Sequence, residues 1–227
     1  MLLFLFGKRT SLKIRPKYFR LQAGIIFPSP ALGFSTFVMQ ASESIILICF
    51  NSSLYKYGGD IAVGAMTVLS SVMQFAMLPL QGLGQGAQPI ISYNYGAKNS
   101  ARVKKAFKLL LISSLCYSVT LWALVMAIPQ AFVMMFNTNE GLVSYTVPAL
   151  PIYLGALLLF GIQIACQMTF TSMGNAAASV IVAVVRKFVL LLPLIYIMPL
   201  VYTADKATAV FMAEPIADTI AVLFTAI

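Results

Sequence analysis

Six acidic residues and no histidine bound the chemistry open to this chain. Glu43 stands alone in an apolar run, and Glu214 and Asp218 lie four residues apart on one helical face, with Pro215 between them loosening the helix. A carboxylate among apolar residues is costly unless it is paired, protonated or hydrated. Glu43 therefore reads as a proton acceptor or cation site, or else as a structural partner of the Ser42 or Ser44 hydroxyl. Glu214 and Asp218 read as a coupling or helix-packing site. Amides form a second polar set: Gln81, Gln85 and Gln88 share one helical face, with Gln74 seven residues before Gln81. Such a row inside lipid must face protein or water. It is either interhelical glue, with Gly82 and Gly86 as a small-xxx-small packing seam, or one wall of a hydrated cavity. Gln163 and Gln167, at i and i+4 beside Thr169 and Thr171, make a smaller ledge of the same kind. An imidazole base and a His-ligated zinc are excluded, and three cysteines cannot form a four-thiolate site. Cys49, Cys116 and Cys166 lie in apolar runs, where cysteine acts as a small hydrophobe. Neither an enzyme nor a cofactor is expected.

The elements that position these residues must be membrane helices. Of 227 residues, 60% are apolar and only 9% charged, and the mean hydropathy is +0.92. A soluble domain carries about 25% charged residues, so the bilayer is the expected solvent. About 20 apolar residues cross the hydrocarbon, and charge-free windows of that length fall at 24–54, 61–92, 109–135, 145–172 and 176–202, with a sixth from 207 onward. Turn signals at Tyr57-Gly58-Gly59-Asp60, Asn94 to Asn99, Asn137 to Gly141 and Met173-Gly174-Asn175 separate them. Both lysine and arginine blocks, at 8–20 and 98–108, are read as loops flanking spans on one side, together with Arg186 and Lys187. That puts thirteen of fifteen basic residues at one set of ends, which makes those ends and both termini cytoplasmic. Arg186 is expected to snorkel to that surface rather than enter a buried ion pair. The net charge of +9 is thus spent on topology, and nucleic acid is not an expected partner. Residues 1–20 read as a cytoplasmic linker after a missing helix, 21–227 as the transmembrane lobe, and the sixth helix as cut short.

The run from Pro79 through Gln85-Gly86-Ala87-Gln88-Pro89-Ile90-Ile91-Ser92-Tyr93-Asn94-Tyr95-Gly96-Ala97-Lys98-Asn99 to Arg102-Val103-Lys104-Lys105 resembles the multidrug and toxic compound extrusion (MATE) family. The likeness continues in Gln167 to Gly174, Arg186, Leu190 to Tyr196, and Glu214 to Asp218, in the order of that family's second lobe. The resemblance implies an all-α polytopic protein, six transmembrane helices forming one lobe of a twelve-helix transporter. It implies export of cationic organic compounds across the bacterial inner membrane, in exchange for Na+ or H+. The partners implied are the bilayer, a six-helix N-terminal lobe in cis or on another chain, and the exported cations. Asn51 matches a polar position of the family's first second-lobe helix, and Tyr196 falls within the matched run, so both join the candidate binding residues. A transient Na+ is placed at Glu43 or Asp218. Glu43 lies deeper in its helix than the family pattern, and the fourth span has no acid, so Glu43 stands on its chemistry alone. Two other readings remain: a lipid-linked oligosaccharide flippase, disfavoured by the scarcity of mid-span Lys or Arg, and a non-transporting membrane scaffold or inactive fragment.

Overall fold

The computed structural model describes the backbone of residues 28–174 and 184–226, and the side chains of 41–174 and 184–223. The expected linker, the basic block at 8–20 and the start of the fifth span lie outside the described residues. The chain divides into two compact units, Met1–Gln40 and Ala41–Ile227, and the packing that follows is that of the second. All regular structure among the described residues is helical. Helix α1 (Pro28–Gly96) contains the described part of the first expected span and all of the second, and is broken only at Gly59, whose φ of 64° and ψ of −159° a side chain would strain. Pro79 and Pro89 lie within α1 without ending it. A turn with Lys98 at φ 57° leads to α2 (Ser100–Ala127), capped by the Asn99 side chain, which accepts from the Arg102 N–H at 3.2 Å. The basic block 98–108 is therefore mostly helical, not a loop, because Lys and Arg are good helix formers whose long stems carry the charge outward.

Pro129 ends the third span early by opening a short helix, α3 (Pro129–Met134). The fourth span is not one helix. It consists of α4 (Glu140–Tyr153, containing Pro148 and Pro151), a 3-10 turn over Gly155–Leu159, and α5 (Phe160–Ser172). A π-helical segment, Val185–Leu191, precedes α6 (Leu192–Val201), and α7 (Lys206–Ala226) contains Pro215. Asp205 caps α7: its carboxylate accepts from the Thr208 hydroxyl at 2.6 Å and from the N–H groups of Ala207 and Thr208 at 3.0 and 3.2 Å. The Thr208 hydroxyl, helped by those N–H groups, holds the Asp205 carboxyl below its ordinary value. A lowered carboxyl favours the folded chain above the usual carboxylate range, and that contribution is lost as pH falls through the folded value.

Three described stretches are long and apolar enough to cross a bilayer: Ala41–Gly96, Ser100–Ala127 and Glu140–Ser172. Phe50, Leu54, Leu69, Leu150, Leu154, Phe160, Ile195 and Phe211 are fully buried in one cluster drawn from α1, α4, α5, α6 and α7. The tight helix crossing is not at Gly82 and Gly86, where a Cβ would meet nothing within 4 Å. It is at Gly161 in α5, where a Cβ would lie 2.7 Å from the Ser114 carbonyl oxygen and the Ser118 hydroxyl of α2. Ser118 donates across this crossing to the Leu158 carbonyl at 3.1 Å. A small residue on α5 and two serines on α2 let the backbones touch, as membrane packing requires where water supplies no hydrophobic drive.

Candidate functional site

The charged residues of the interior converge on one place. Arg186, on the π-helical segment, places Nε 2.6 Å from an Asp218 carboxylate oxygen and a terminal nitrogen 3.6 Å from Glu214. Asp218 is 1% exposed, and the guanidinium also lies 5.5 Å from the centre of the Phe160 ring at the start of α5. Tyr153, the buried last residue of α4, lies beside Ser70 of α1 and stands in the field of Glu214, Asp218 and Arg186. Lys187, 8% exposed, is ion-paired with Glu43 of α1 and feels Glu214 and Asp218 as well. Three carboxylates thus share two cations. This corrects the expectation for Arg186 and Lys187: neither reaches the surface, because the acids of α7 offer pairing inside the fold, where an unpaired carboxylate would be costly, and Glu43 of α1 meets Lys187 from the exposed side.

Three of the supporting backbones are irregular at this point. The 3-10 turn follows Tyr153, the π-helical segment carries both cations, and Pro215 separates the two acids of α7. Pro215 has no N–H to give the Phe211 carbonyl, and its own carbonyl accepts the Thr219 hydroxyl at 2.7 Å. Irregular backbone at membrane depth is tolerated only where protein covers it or it lines a cavity. The coincidence of three such breaks around buried charge marks the site.

The other expected residues distribute as follows. Glu43 is mid-helix and ion-paired but 63% exposed. Asn51 is half-buried, with its carbonyl oxygen buried and unpaired. Gln163 is buried in α5, one turn beyond Phe160 on the same side, and its carbonyl oxygen likewise has no partner. Gln167 is half-buried. The hydroxyls of Thr169 and Thr171 turn back on the carbonyls of Ala165 and Gln167, so they add no polar ledge. Gln74, Gln81 and Gln85 are exposed and Gln88 half-buried, so the row is not glue among the helices of this chain. Tyr196 is exposed and lies beside Cys49, and it makes no ion-pair contact with the charged cluster among the described residues.

A family model described as MatE matches residues 35–197, a stretch that takes in Glu43, the glutamine row, Tyr153 and both interior cations. The chain belongs to the MatE family. It is 26% identical over 167 residues to the multidrug export protein MepA of Staphylococcus aureus, covering 74% of this chain and 36% of that protein. It is 23% identical over 189 residues to MepA of Staphylococcus haemolyticus, covering 83% and 40%. The chain thus spans well under half the length of these curated relatives. Among solved structures, the MATE multidrug transporter DinF-BH superposes with a TM-score of 0.81 at 29% identity, over 99% of this chain and 50% of that one.

Within this MatE lobe, sequence reasoning finds both acids of α7 and misses Tyr153, Ser70, Phe160 and the role of Arg186 and Lys187. The available signal was the Arg186-Lys187 pair itself: two cations inside an apolar run default to buried partners when acids lie within reach. Tyr153 carries no such mark, since tyrosine in an apolar helix is equally at home in packing.

Proposed function

We propose that this chain is one lobe of a cation-coupled antiporter that exports organic cations across a bacterial inner membrane. The observation that carries the reading is the cluster of three carboxylates on two cations, with Glu214 and Asp218 inside the fold and Glu43 at its exposed edge, built where α1, α4, α5, α7 and the π-helical segment meet. One negative charge is left over, and Glu214, the more loosely held partner of Arg186, is where a proton or Na+ neutralises it. Asp218 is held close by Arg186, and Glu43 by Lys187, so neither is the open carboxylate. Neutralising Glu214 weakens its pull on Arg186 and Lys187. Because Lys187 reaches Glu43, the change passes to α1 and shifts the balance between two packings of the lobe. Family membership, with MepA as a multidrug export protein and DinF-BH as a multidrug transporter, supports an organic cation as cargo. The glutamine row and Asn51 are its polar contacts, and the remaining half of the transporter is the partner that closes the cleft. The interior cations are matched by acids, so they do not offer the free positive charge that a lipid-linked pyrophosphate needs.

The test uses a complete transporter carrying this lobe. Glu214→Gln should lower gradient-driven ethidium export at least tenfold while membrane insertion and abundance stay unchanged. Export at the original rate removes Glu214 from the coupling step.

A further inference from the structure

A second feature lies away from the charged cluster. The second arm of α1 and the first half of α2 enclose an open groove of about 1070 Å³. Its walls are Gly82, Leu83, Gly86, Ile90, Leu109 and Leu110, and the Cβ directions of both glycines point into open space. The polar groups along it are already used. The Asn94 amide donates to the Ile90 carbonyl at 2.8 Å, the Ser113 hydroxyl to Leu109 at 2.9 Å, and the Tyr117 hydroxyl to Ala76 at 3.3 Å. Arg102 and Lys105, at its end toward the start of α2, are its charged side chains; both are exposed, and neither is ion-paired among the described residues. They stand in the first turns of α2, whose helix dipole already favours negative charge, and no acidic residue offsets them there. From Arg102 to Tyr117 the groove follows α2 for about 22 Å, from headgroup level to near the middle of a bilayer whose hydrocarbon is about 30 Å thick.

We propose that this groove is a binding site for an anionic phospholipid, its acyl chain along Gly82, Gly86 and Ile90 and its phosphate on Arg102 and Lys105. The chemistry selects that occupant: an apolar trough one leaflet deep fits a chain, and two unpaired cations at its mouth fit a phosphate. An organic cation would be repelled by the same rim. Basic pockets between membrane helices at headgroup level hold acidic lipid headgroups by this charge complementarity.

Native mass spectrometry of the purified protein, titrated with dioleoyl phosphatidylglycerol or dioleoyl phosphatidylcholine, reads the site directly. Phosphatidylglycerol should be retained about thirty-fold better than phosphatidylcholine, the selectivity that two rim cations supply. Arg102→Ala/Lys105→Ala should bring the two lipids to parity, while Lys104→Ala/Lys108→Ala, an equal loss of charge off the groove, should leave the preference intact. Gly86→Leu fills the trough at a position with room for it and should abolish retention of phosphatidylglycerol without lowering thermal stability. Equal loss in both charge variants would mean unspecific surface attraction. Undiminished binding in Gly86→Leu would mean that the chain is not in the groove, as would a groove covered by another part of the transporter. Any of these overturns the proposal, and none touches the coupling role of Glu214.

Discussion

Asp218 is nearly sealed from solvent, and among the described residues only Arg186 answers its charge at close range. Removing one member of a buried pair strands the other in a medium that cannot solvate it, at about 3–5 kcal/mol, whereas removing both with apolar replacements is close to neutral. Arg186→Met should therefore lower stability by about that amount in an SDS unfolding titration of the reconstituted protein. Arg186→Met/Asp218→Leu should recover most of the loss, the two sites being coupled through contact. If the single and double variants unfold alike, Arg186 is not what keeps Asp218 buried. At this scale the sequence was half legible. The i, i+4 spacing of Glu214 and Asp218 is visible to anyone counting residues, since both partners sit on one helix. The cation that answers them lies on a different element, and only tertiary packing decides whether an arginine one third of the way along a span stretches outward or turns in.

Helices communicate most closely where side chains are absent. At Gly161 a Cβ would come within 2.7 Å of a backbone carbonyl of α2, which has no rotamer with which to yield. Gly161→Val should force α2 and α5 apart and reduce stability by about 1–3 kcal/mol, the usual penalty of overpacking. Gly86→Ala, in an α1 position with nothing within 4 Å, should be neutral or slightly stabilising, since alanine is the better helix former. Paired thermal-unfolding midpoints in detergent check both, and a Gly161→Val midpoint equal to that of Gly86→Ala would refute the crossing. Apolar run length and turn residues located the breaks at Gly59 and at 137–139, because charge and glycine stand there in plain view. They did not locate the 3-10 turn at Gly155–Leu159 or the π-helical segment at Val185–Leu191. Hydropathy is blind to hydrogen-bond register: the 3-10 turn is as apolar as the helices beside it, and the two charges of the π-helical segment mark a polar position without marking a change of register. Pro148 and Pro151 hinted at the first, and nothing local announced the second.

The lobe leaves the face that carries Gln74, Gln81 and Gln85 uncovered, and the solved MATE structures it resembles are about twice its length. An exposed amide row in a membrane helix is stable only against water or protein, since lipid offers it no hydrogen bonds. The row should therefore border the hydrated cleft between the halves of a complete transporter, while the opposite side of the same arm meets lipid. In such a transporter with Cys49, Cys116 and Cys166 replaced, Gln85→Cys should react with a charged, membrane-impermeant maleimide added to inside-out or right-side-out vesicles, from whichever side the cleft is open. Excess transported cation should slow that reaction by occupying the cleft. Leu83→Cys, about 200° around the helix from Gln81 and on the wall of the apolar groove, should stay unlabelled under the same conditions. If both cysteines are inert from both sides, the row is packed against protein and the export pathway lies elsewhere. If both react, this arm of α1 is wetted all round, and the groove beside it cannot hold an acyl chain.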